Sequence, residues 1–387
     1  MSNHNQFDQQ IAAGLDGAFK NKNRIKQLHS IELANPDAPR YIIFSDQHRG
    51  ARNGADDFQK SERAYNAALA YYNALGYHLV ALGDVEELWE ERESSVMAAY
   101  AHSLSLERAF HEDGRYHRAF GNHDEVWSQP ETVRQLLQPA FGHNLLHVYE
   151  GFKLRIKREG RPLGQFFLVH GHQGTADSDK WAWLSKPLVR YLWRPLQRLT
   201  KYRRTTPATD WRLRKRHNVA MYRWARAAQE RLVLITGHTH YPVFESKTHE
   251  EQLMEEMEAV LTDDTVTGDE KQTKIAGLAA KLEWVRAQQS QGQVAAAPDL
   301  ADMRPCYFNT GCCSFSDGDI TGLEIADSEI RLIKWPGDES AAGPHILARA
   351  TLDAVFNRLQ PASAPNKAAQ NGRAPEHAAG EPLTAIA

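Results

Sequence analysis

Residues 41–50 read YIIFSDQHRG, a short apolar run that ends in Asp46 and His48. Four later stretches have the same form: YHLVALGD (77–84), YHRAFGNHD (116–124), FFLVHGH (166–172) and RLVLITGHTH (231–240). Helical patterns over 58–76 and 93–113 separate the first three of them, and a hairpin is expected near 151–170. Short apolar runs that alternate with helices predict a layered α/β sheet.

Each of these five predicted strands ends in side chains that can bind a metal ion. In open α/β sheets, ligand sites form outside the carboxyl ends of the strands, so we expect the five endings to converge. Imidazole, carboxylate and amide oxygen together suit Mn, Fe or Zn, and the absence of thiolates argues against a structural zinc site. A single Gly-Asn pair is ordinary turn chemistry. Five polar endings in succession favour a metal centre.

The ordered blocks DQH, GDVEE, GNHD, HGH and GHTH resemble the signature blocks of the calcineurin-like metallophosphoesterases, over residues 40–245 and the closing strands to about 335. The resemblance implies an α/β fold, a four-layer α/β/β/α sandwich with two helical insertions. It also implies two divalent metal ions, with manganese favoured over Fe, Zn, Ni, Co and Mg. The implied metal ligands are Asp46, His48, Asp84 and His240 for the first ion, with Asp84 bridging, and Asn122, His170 and His238 for the second.

The resemblance further implies hydrolysis of a phosphate ester or pyrophosphate by a water that two metal ions activate. His123 is the implied catalytic residue beside the leaving group, with Asp124 as its orienting partner. Imidazole is suited to giving a proton to that oxygen near neutral pH. Arg49 follows the first block and is expected either to bind the substrate phosphate or to be a solvated loop arginine.

Within the superfamily, FSDQH, GDVEELWE and the insertion after HGH look similar to UDP-2,3-diacylglucosamine pyrophosphohydrolases, which cleave a lipid-linked pyrophosphate at the membrane face. Residues 176–230 are rich in Trp, Arg and Lys, as a lid that contacts an anionic membrane or an anionic, partly apolar substrate would be. The alternative is a helical hairpin packed on the sandwich. His123 in GNHD and the second insertion, 246–300, depart from those enzymes. The expected substrate is therefore a phosphorylated small molecule or a lipid-linked one.

Three rival functions share some of these features. A nuclease would carry the same blocks, but the basic residues are confined to one insertion and the net charge of −3 gives no nucleic-acid signature. A protein phosphatase or cyclic-nucleotide phosphodiesterase is a second alternative. A non-catalytic scaffold is the third, and such scaffolds usually lack a ligand, whereas every ligand position here is filled.

Composition and pattern also predict the organisation of the 387-residue chain. We expect an N-terminal helical arm at 1–39, a phosphoesterase domain at 40–337 and, at 338–387, a short helix (345–359) followed by a disordered tail from Pro361. The insertion 246–300 is expected to form two helices around Thr265–Lys271. Three cysteines without a C-x-x-C spacing, no signal-peptide pattern and no apolar stretch of about 18 residues predict a cytoplasmic protein. It would lie peripheral to the inner membrane if the substrate is a lipid.

Overall fold

The computed structural model describes residues 3–21, 28–33, 35, 37, 39–175, 211–228, 231–263, 268–288, 304–338 and 343–359. The strands in these ranges are β1 Leu28–Leu33, β2 Tyr41–Phe44, β3 His78–Leu82, β4 Tyr116–Ala119, β5 Val148–Tyr149, β6 Gly151–Arg158, β7 Arg161–Val169, β8 Leu232–Thr236, β9 Val243–Phe244, β10 Lys247–Thr248, β11 Tyr307–Asn309, β12 Ile320–Ala326, β13 Glu329–Trp335 and β14 His345–Thr351. The longer helices are α1 Asn3–Phe19, α2 Phe58–Ala74, α3 Glu93–Ala99, α4 Ala101–Glu112, α5 Trp211–Ala227, α6 His249–Thr262, α7 Gly268–Gln288 and α8 Leu352–Arg358. Short helical turns occupy Glu125–Ser128, Pro130–Thr132, Val133–Leu137 and Gln138–Phe141.

The described strands form two seven-stranded sheets, in the orders β1-β6-β7-β8-β11-β9-β10 and β14-β13-β12-β2-β3-β4-β5. In the second sheet β2, β3 and β4 are parallel neighbours. In the first sheet β7, β8 and β11 are also parallel neighbours. The carboxyl ends of parallel neighbours lie at the same edge of a sheet, so each sheet collects several polar strand endings at one edge.

The alternation of side chains along β2 shows which hydrophobic core each face of the second sheet contacts. Ile42 and Phe44 belong to a core that includes buried residues of α2 and α4. Tyr41 and Ile43 belong to a core that includes buried residues of β6, β7 and β8 in the other sheet. Successive residues of a strand point to opposite faces, so the second sheet is buried on both. The protein is a mixed α/β structure.

The N-terminal segment differs from the predicted helical arm. Ile11 and Leu15 of α1 are fully buried in the core that includes the first sheet. Residues 28–33 are not helical but form β1, an edge strand paired in parallel with β6. The sequence LHSIEL carries its apolar residues at a helix-compatible spacing, and pairing with β6 decides its conformation.

Two other predicted helices also need correction. The helix expected over 93–113 is interrupted at Tyr100, which separates α3 from α4 and whose buried ring packs against Phe58. The helix expected over 345–359 begins only at Leu352, because residues 345–351 pair with β13 as β14. The described residues of the second insertion form two helices, α6 and α7. Thr248 and Glu251 form a capping box that starts α6.

Much of the basic insertion lies outside the described residues, which include 211–228 of it, mostly helix α5. The expected membrane-facing lid at 176–204 and the tail from Pro361 lie outside them too. Across the part of the chain that the structure describes, no helix has both the length and the hydropathy that a bilayer crossing needs.

Candidate metal centre

The loops that leave the parallel strands stay hydrogen-bonded to one another beyond the strand ends. The amide of Asp46 donates to the carbonyl of Gly83 (3.1 Å), and the amide of His48 donates to the carbonyl of Asp84 (2.9 Å). In the other sheet, Gly237 donates to the carbonyl of His170 (2.9 Å). These hydrogen bonds between loops fix the backbone positions of the residues that carry the polar side chains.

The predicted ligands sit on an unusual backbone. Five of the seven have left-handed φ angles between 50° and 66°: Asp46, His48, Asp84, His238 and His240. Non-glycine residues rarely adopt this conformation, although Asp, Asn and His tolerate it best. Such strain clusters at sites where the surrounding structure imposes a side-chain direction. Here it turns the ligand side chains toward one another at the edge of the sheets.

The first group of converging side chains consists of Asp46, His48 and His240, whose potential ligand atoms all lie within 4.8 Å of one another. His240 Nε2 is 3.1 Å from Asp46 Oδ1 and 3.0 Å from His48 Nε2. Asp46 is fully buried and also accepts hydrogen bonds from the amide of His238 at 3.0 and 3.1 Å.

The second group consists of Asp84, His170 and His238, again with ligand atoms within 4.8 Å of one another. His170 Nδ1 donates to the carbonyl of Leu82 (3.0 Å), so Nε2 faces Asp84 Oδ2, which is 3.0 Å away. Nε2 of His170, Nε2 of His238 and Oδ1 of Asn122 are buried atoms without a hydrogen-bond partner. A buried polar atom left unpaired is costly, and a cation bound beside His170 and His238 would satisfy their two nitrogens.

Asp84 lies between the two groups. Its Oδ2 is 3.0 Å from His170 Nε2 and 3.7 Å from His48 Nε2. Its other oxygen, Oδ1, accepts the amide hydrogen of His123 at 2.8 Å. Asp84 also belongs to a third converging set with His48 and His123. Its position is the one that a carboxylate shared between two ions would occupy.

Electrostatics keep both carboxylates and His238 in forms that bind metal. Burial raises the pKa of Asp46, but His240 and His170 outweigh it and hold that pKa below its usual range. Burial also raises the pKa of Asp84, but His170 outweighs it and holds that pKa well below its usual range. Burial lowers the pKa of His238 well below its ordinary value. The two carboxylates are therefore anionic and His238 is neutral, as metal ligation requires. Burial lowers the pKa of His170, but Asp84 and Asp46 outweigh it and raise that pKa to about 9, so an ion bound there would displace a proton from His170.

His123 is held by a residue that the sequence analysis did not single out. Its Nδ1 lies 2.7 Å from Oε2 of Glu87, and the same oxygen lies 3.1 Å from Nδ1 of His48. Burial lowers the pKa of His123, but Glu87 and Asp84 outweigh it and raise that pKa above its ordinary value. The indole of Trp89 stacks on the His123 ring, with centroids 4.1 Å apart.

The expected partnership between Asp124 and His123 is wrong. The Asp124 carboxylate accepts hydrogen bonds from the backbone amides of Gly121 (2.6 Å), Val85 (3.0 Å) and Asp84 (3.3 Å). These bonds tie the loop after β4 to the loop after β3. Asp124 therefore holds the backbone of the site, whereas His123 pairs with Glu87.

Arg49 does not reach the centre either. It is fully buried, donates to Glu107 and lies between the rings of Phe58 and Tyr65, with its guanidinium carbon 5.4 and 5.3 Å from their centroids. The backbone of Arg49 bridges to Glu86, which turns its side chain into the core beneath the site. Neither expectation for Arg49, phosphate binding or solvation, fits this position.

A different arginine lies near the centre. Arg214, in the first turns of α5, has its guanidinium carbon 5.7 Å from the ring centroid of Tyr241, directly after the GHTH block. Its charge is close enough to contribute to the lowered pKa of His240, which burial chiefly causes. No sequence signal separates Arg214 from its basic neighbours. By contrast, Glu87 stands three residues after Asp84 within the GDVEE block, and that spacing could have identified Glu87 as a residue of the site.

The donor set fits a divalent metal ion. It combines two buried carboxylates, four imidazoles and one amide, a mixture suited to borderline first-row ions. Each convergent group holds three residues that could bind a metal ion. Within the described residues the structure therefore brings together six of the seven predicted ligands, Asp46, His48, Asp84, His170, His238 and His240, and the seventh, Asn122, has its Oδ1 buried without a hydrogen-bond partner.

Comparison with known proteins adds little to this geometry. No protein-family model matches the chain, and no curated protein matches it significantly. Five chains of solved structures match, and one of them is the crystal structure of a point mutant of a cold-active protein tyrosine phosphatase. That match has 12% sequence identity and a TM-score of 0.26, and it covers 85% of this chain and 84% of the other. At this TM-score the similarity carries no argument about function.

Proposed function

We propose that the protein is a metal-dependent phosphoesterase, a hydrolase that cleaves a phosphate ester or phosphoanhydride. The observation that carries the proposal is the meeting of two His/Asp groups at one shared carboxylate, Asp84. Two adjacent cation sites at the carboxyl ends of the strands are suited to binding phosphoryl groups, whose negative charge the cations would neutralise.

In this proposal Asp46, His48, Asp84 and His240 hold one ion, and Asp84, Asn122, His170 and His238 hold the other. Divalent ions bound there would supply Lewis-acid activation of water and of the phosphoryl oxygens. Manganese is the proposed metal, with Fe, Zn, Ni, Co and Mg as alternatives, because the donor set has no thiolate and is rich in imidazole and carboxylate.

His123 is the proposed general acid for the leaving oxygen. The Glu87 carboxylate 2.7 Å from its Nδ1 favours the protonated ring, and Trp89 fixes the plane of that ring. A positioned acid of this kind contributes about 10²–10⁴-fold to a rate. Glu87 thus acts through His123 and is a positioning residue.

The substrate would be a phosphorylated small molecule or a lipid-linked one. Arg214 is the proposed contact to a phosphoryl or pyrophosphoryl oxygen, because its guanidinium carbon lies 5.7 Å from the ring centroid of Tyr241, the residue that follows His240. The proposed wider family is the calcineurin-like metallophosphoesterases, and the proposed arrangement is their four-layer α/β/β/α sandwich. The two cores on opposite faces of the second sheet support that arrangement.

The experiment is a hydrolysis screen with metal-free protein reconstituted with Mn²⁺, Zn²⁺ or Mg²⁺. Substrates are p-nitrophenyl phosphate, bis-p-nitrophenyl phosphate and a nucleotide-linked pyrophosphate. We expect activity that appears only with metal and disappears in Asp84→Ala. Equal, metal-independent rates for the two proteins would refute the proposal.

A further inference from the structure

Helix α1 packs against the loop that carries His170 at a distance that only glycine permits. A Cβ atom built on Gly14 would lie 2.3 Å from the amide nitrogen of Gly174, a contact too short for any side chain. Reciprocally, a Cβ on Gly174 would lie 2.1 Å from the carbonyl oxygen of Gln10, and Gly174 has a left-handed φ of 79°. The loop that follows His170 is thus wedged against the α1 backbone.

Helix α5 makes a comparable contact with the loop that carries His238 and His240. Oδ1 of Asn218 accepts hydrogen bonds from the hydroxyls of Thr239 (3.1 Å) and Tyr307 (2.9 Å). The neighbouring residue on α5, His217, is buried with its ring edge-on to the ring of His238, 5.3 Å between centroids. This loop therefore rests on α5.

The two helices also hold each other. Nε1 of Trp224 on α5 donates to Asp16 on α1 at 2.9 Å, and Arg223 on α5 pairs with Asp8 on α1. Phe7 of α1 packs edge-on against His217, with centroids 4.9 Å apart. A displacement of either helix would therefore reach the loops of both His170 and His238.

We propose that α1 and α5 form a clamp that positions His170 and His238, so that tight binding of the second metal ion requires both helices to be docked. The inference rests on the proposed metal centre and extends it to elements that contribute no ligand. Residues that orient metal ligands from outside the coordination sphere typically change metal affinity by about 10–100-fold when altered. The first ion should depend on the clamp less, since three of its four proposed ligands, Asp46, His48 and Asp84, follow β2 and β3 in the other sheet and only His240 lies on a loop that α5 holds.

Two glycines of α1 provide a matched pair for the test. Gly14→Ala places a methyl group against the Gly174 backbone, whereas Gly17→Ala places one where no atom lies within 4 Å. Alanine is the better helix former at either position, so helix propensity cannot account for a difference between them. A second pair changes α5: Asn218→Ala removes the acceptor for Thr239 and Tyr307, and Asn218→Asp keeps it.

The measurement is titration of metal-free full-length protein with MnCl₂, followed by calorimetry and by the electron paramagnetic resonance signal of free Mn²⁺. We expect two sites in the wild type, in Gly17→Ala and in Asn218→Asp. In Gly14→Ala and Asn218→Ala the weaker site should lose at least about 10-fold in affinity while the tighter site stays within about 3-fold. Circular dichroism establishes that each variant is folded, and Asn218→Ala decides the matter if Gly14→Ala does not fold.

The outcomes separate the clamp from the proposed function. Two unchanged Mn²⁺ sites in both Gly14→Ala and Asn218→Ala would overturn the clamp and leave the proposed function intact. Equal weakening of both sites would also overturn it, because the effect would then be general rather than confined to the second ligand group. A wild-type protein that binds no Mn²⁺ would instead refute the metal centre itself.

Discussion

The contact between Glu87 and His123 gives a quantitative test of the proposed acid. In Glu87→Gln the shape of the side chain is kept, but the charge 2.7 Å from His123 Nδ1 is lost. For this ion pair we take the worth of an interaction with a charged group, about 1.5–3 kcal/mol, and each 1.36 kcal/mol of barrier is a factor of ten in rate. If the contact stabilises the protonated ring in the transition state, kcat should fall about 10–150-fold for a substrate with a poor leaving group.

The assay compares phenyl phosphate, which has a poor leaving group, with p-nitrophenyl phosphate, which has a better one. A general acid matters less when the leaving oxygen needs no proton, so the loss in Glu87→Gln should shrink to a few-fold for the nitrophenyl ester. Glu87 Oε2 also contacts His48, so rates must be measured at saturating metal. Glu91→Gln is the matched control, because Glu91 lies in the same loop and receives a hydrogen bond from Asn53.

A loss of the same size for both esters at saturating metal would refute the role given to Glu87, because it would show that the carboxylate does not act through proton donation. An unchanged kcat for phenyl phosphate would refute the role of His123 as well.

Three further predictions concern residues outside the ligand set. Arg49→Ala should lower the free energy of unfolding by about 3–5 kcal/mol without raising KM, because it strands the buried Glu107 carboxylate; denaturant titration and steady-state kinetics test this. Arg214→Ala should raise KM several-fold and leave the denaturation midpoint unchanged, and an unchanged KM would remove it from the substrate site. Burial, helped by His78, lowers the pKa of His117 to about 3. Its neutral form therefore stabilises the fold fully above about pH 6.5, and that stability is lost at about 1.4 kcal/mol per unit as the pH falls toward 3. His117→Phe should flatten this part of the acid-unfolding profile, and an unchanged slope would count against the explanation.

The convergence of the Asp and His side chains could be predicted from the sequence because each of them closely follows a short apolar strand. A strand ending fixes where a side chain can be, and parallel neighbours bring such endings to one edge. Asp46 and His238 are far apart in the chain, yet the amide of His238 donates to the Asp46 carboxylate. Topology, which the alternation of strands and helices encodes, is enough to bring them together.

The roles of residues beside the ligands could not be predicted in the same way. Arg49 and Asp124 each adjoin a ligand block, but the direction of a side chain depends on pairing between loops. The bridge between Arg49 and Glu86 turns the Arg49 side chain into the core, and three backbone amides donate to the Asp124 carboxylate. Tertiary pairing also overrides local propensity in the terminal segments, where β1 and β14 replace predicted helix.

The metal content of the purified protein tests the central claim most directly. Metal-free protein is prepared with a chelator, reloaded and analysed for bound ions, with Asp84→Ala measured in parallel. We predict two divalent ions per wild-type chain and a severe loss of both in Asp84→Ala, because Asp84 lies between the two ligand groups. A wild-type chain that binds no divalent ion, or an Asp84→Ala chain that keeps two with unchanged affinity, would contradict the account.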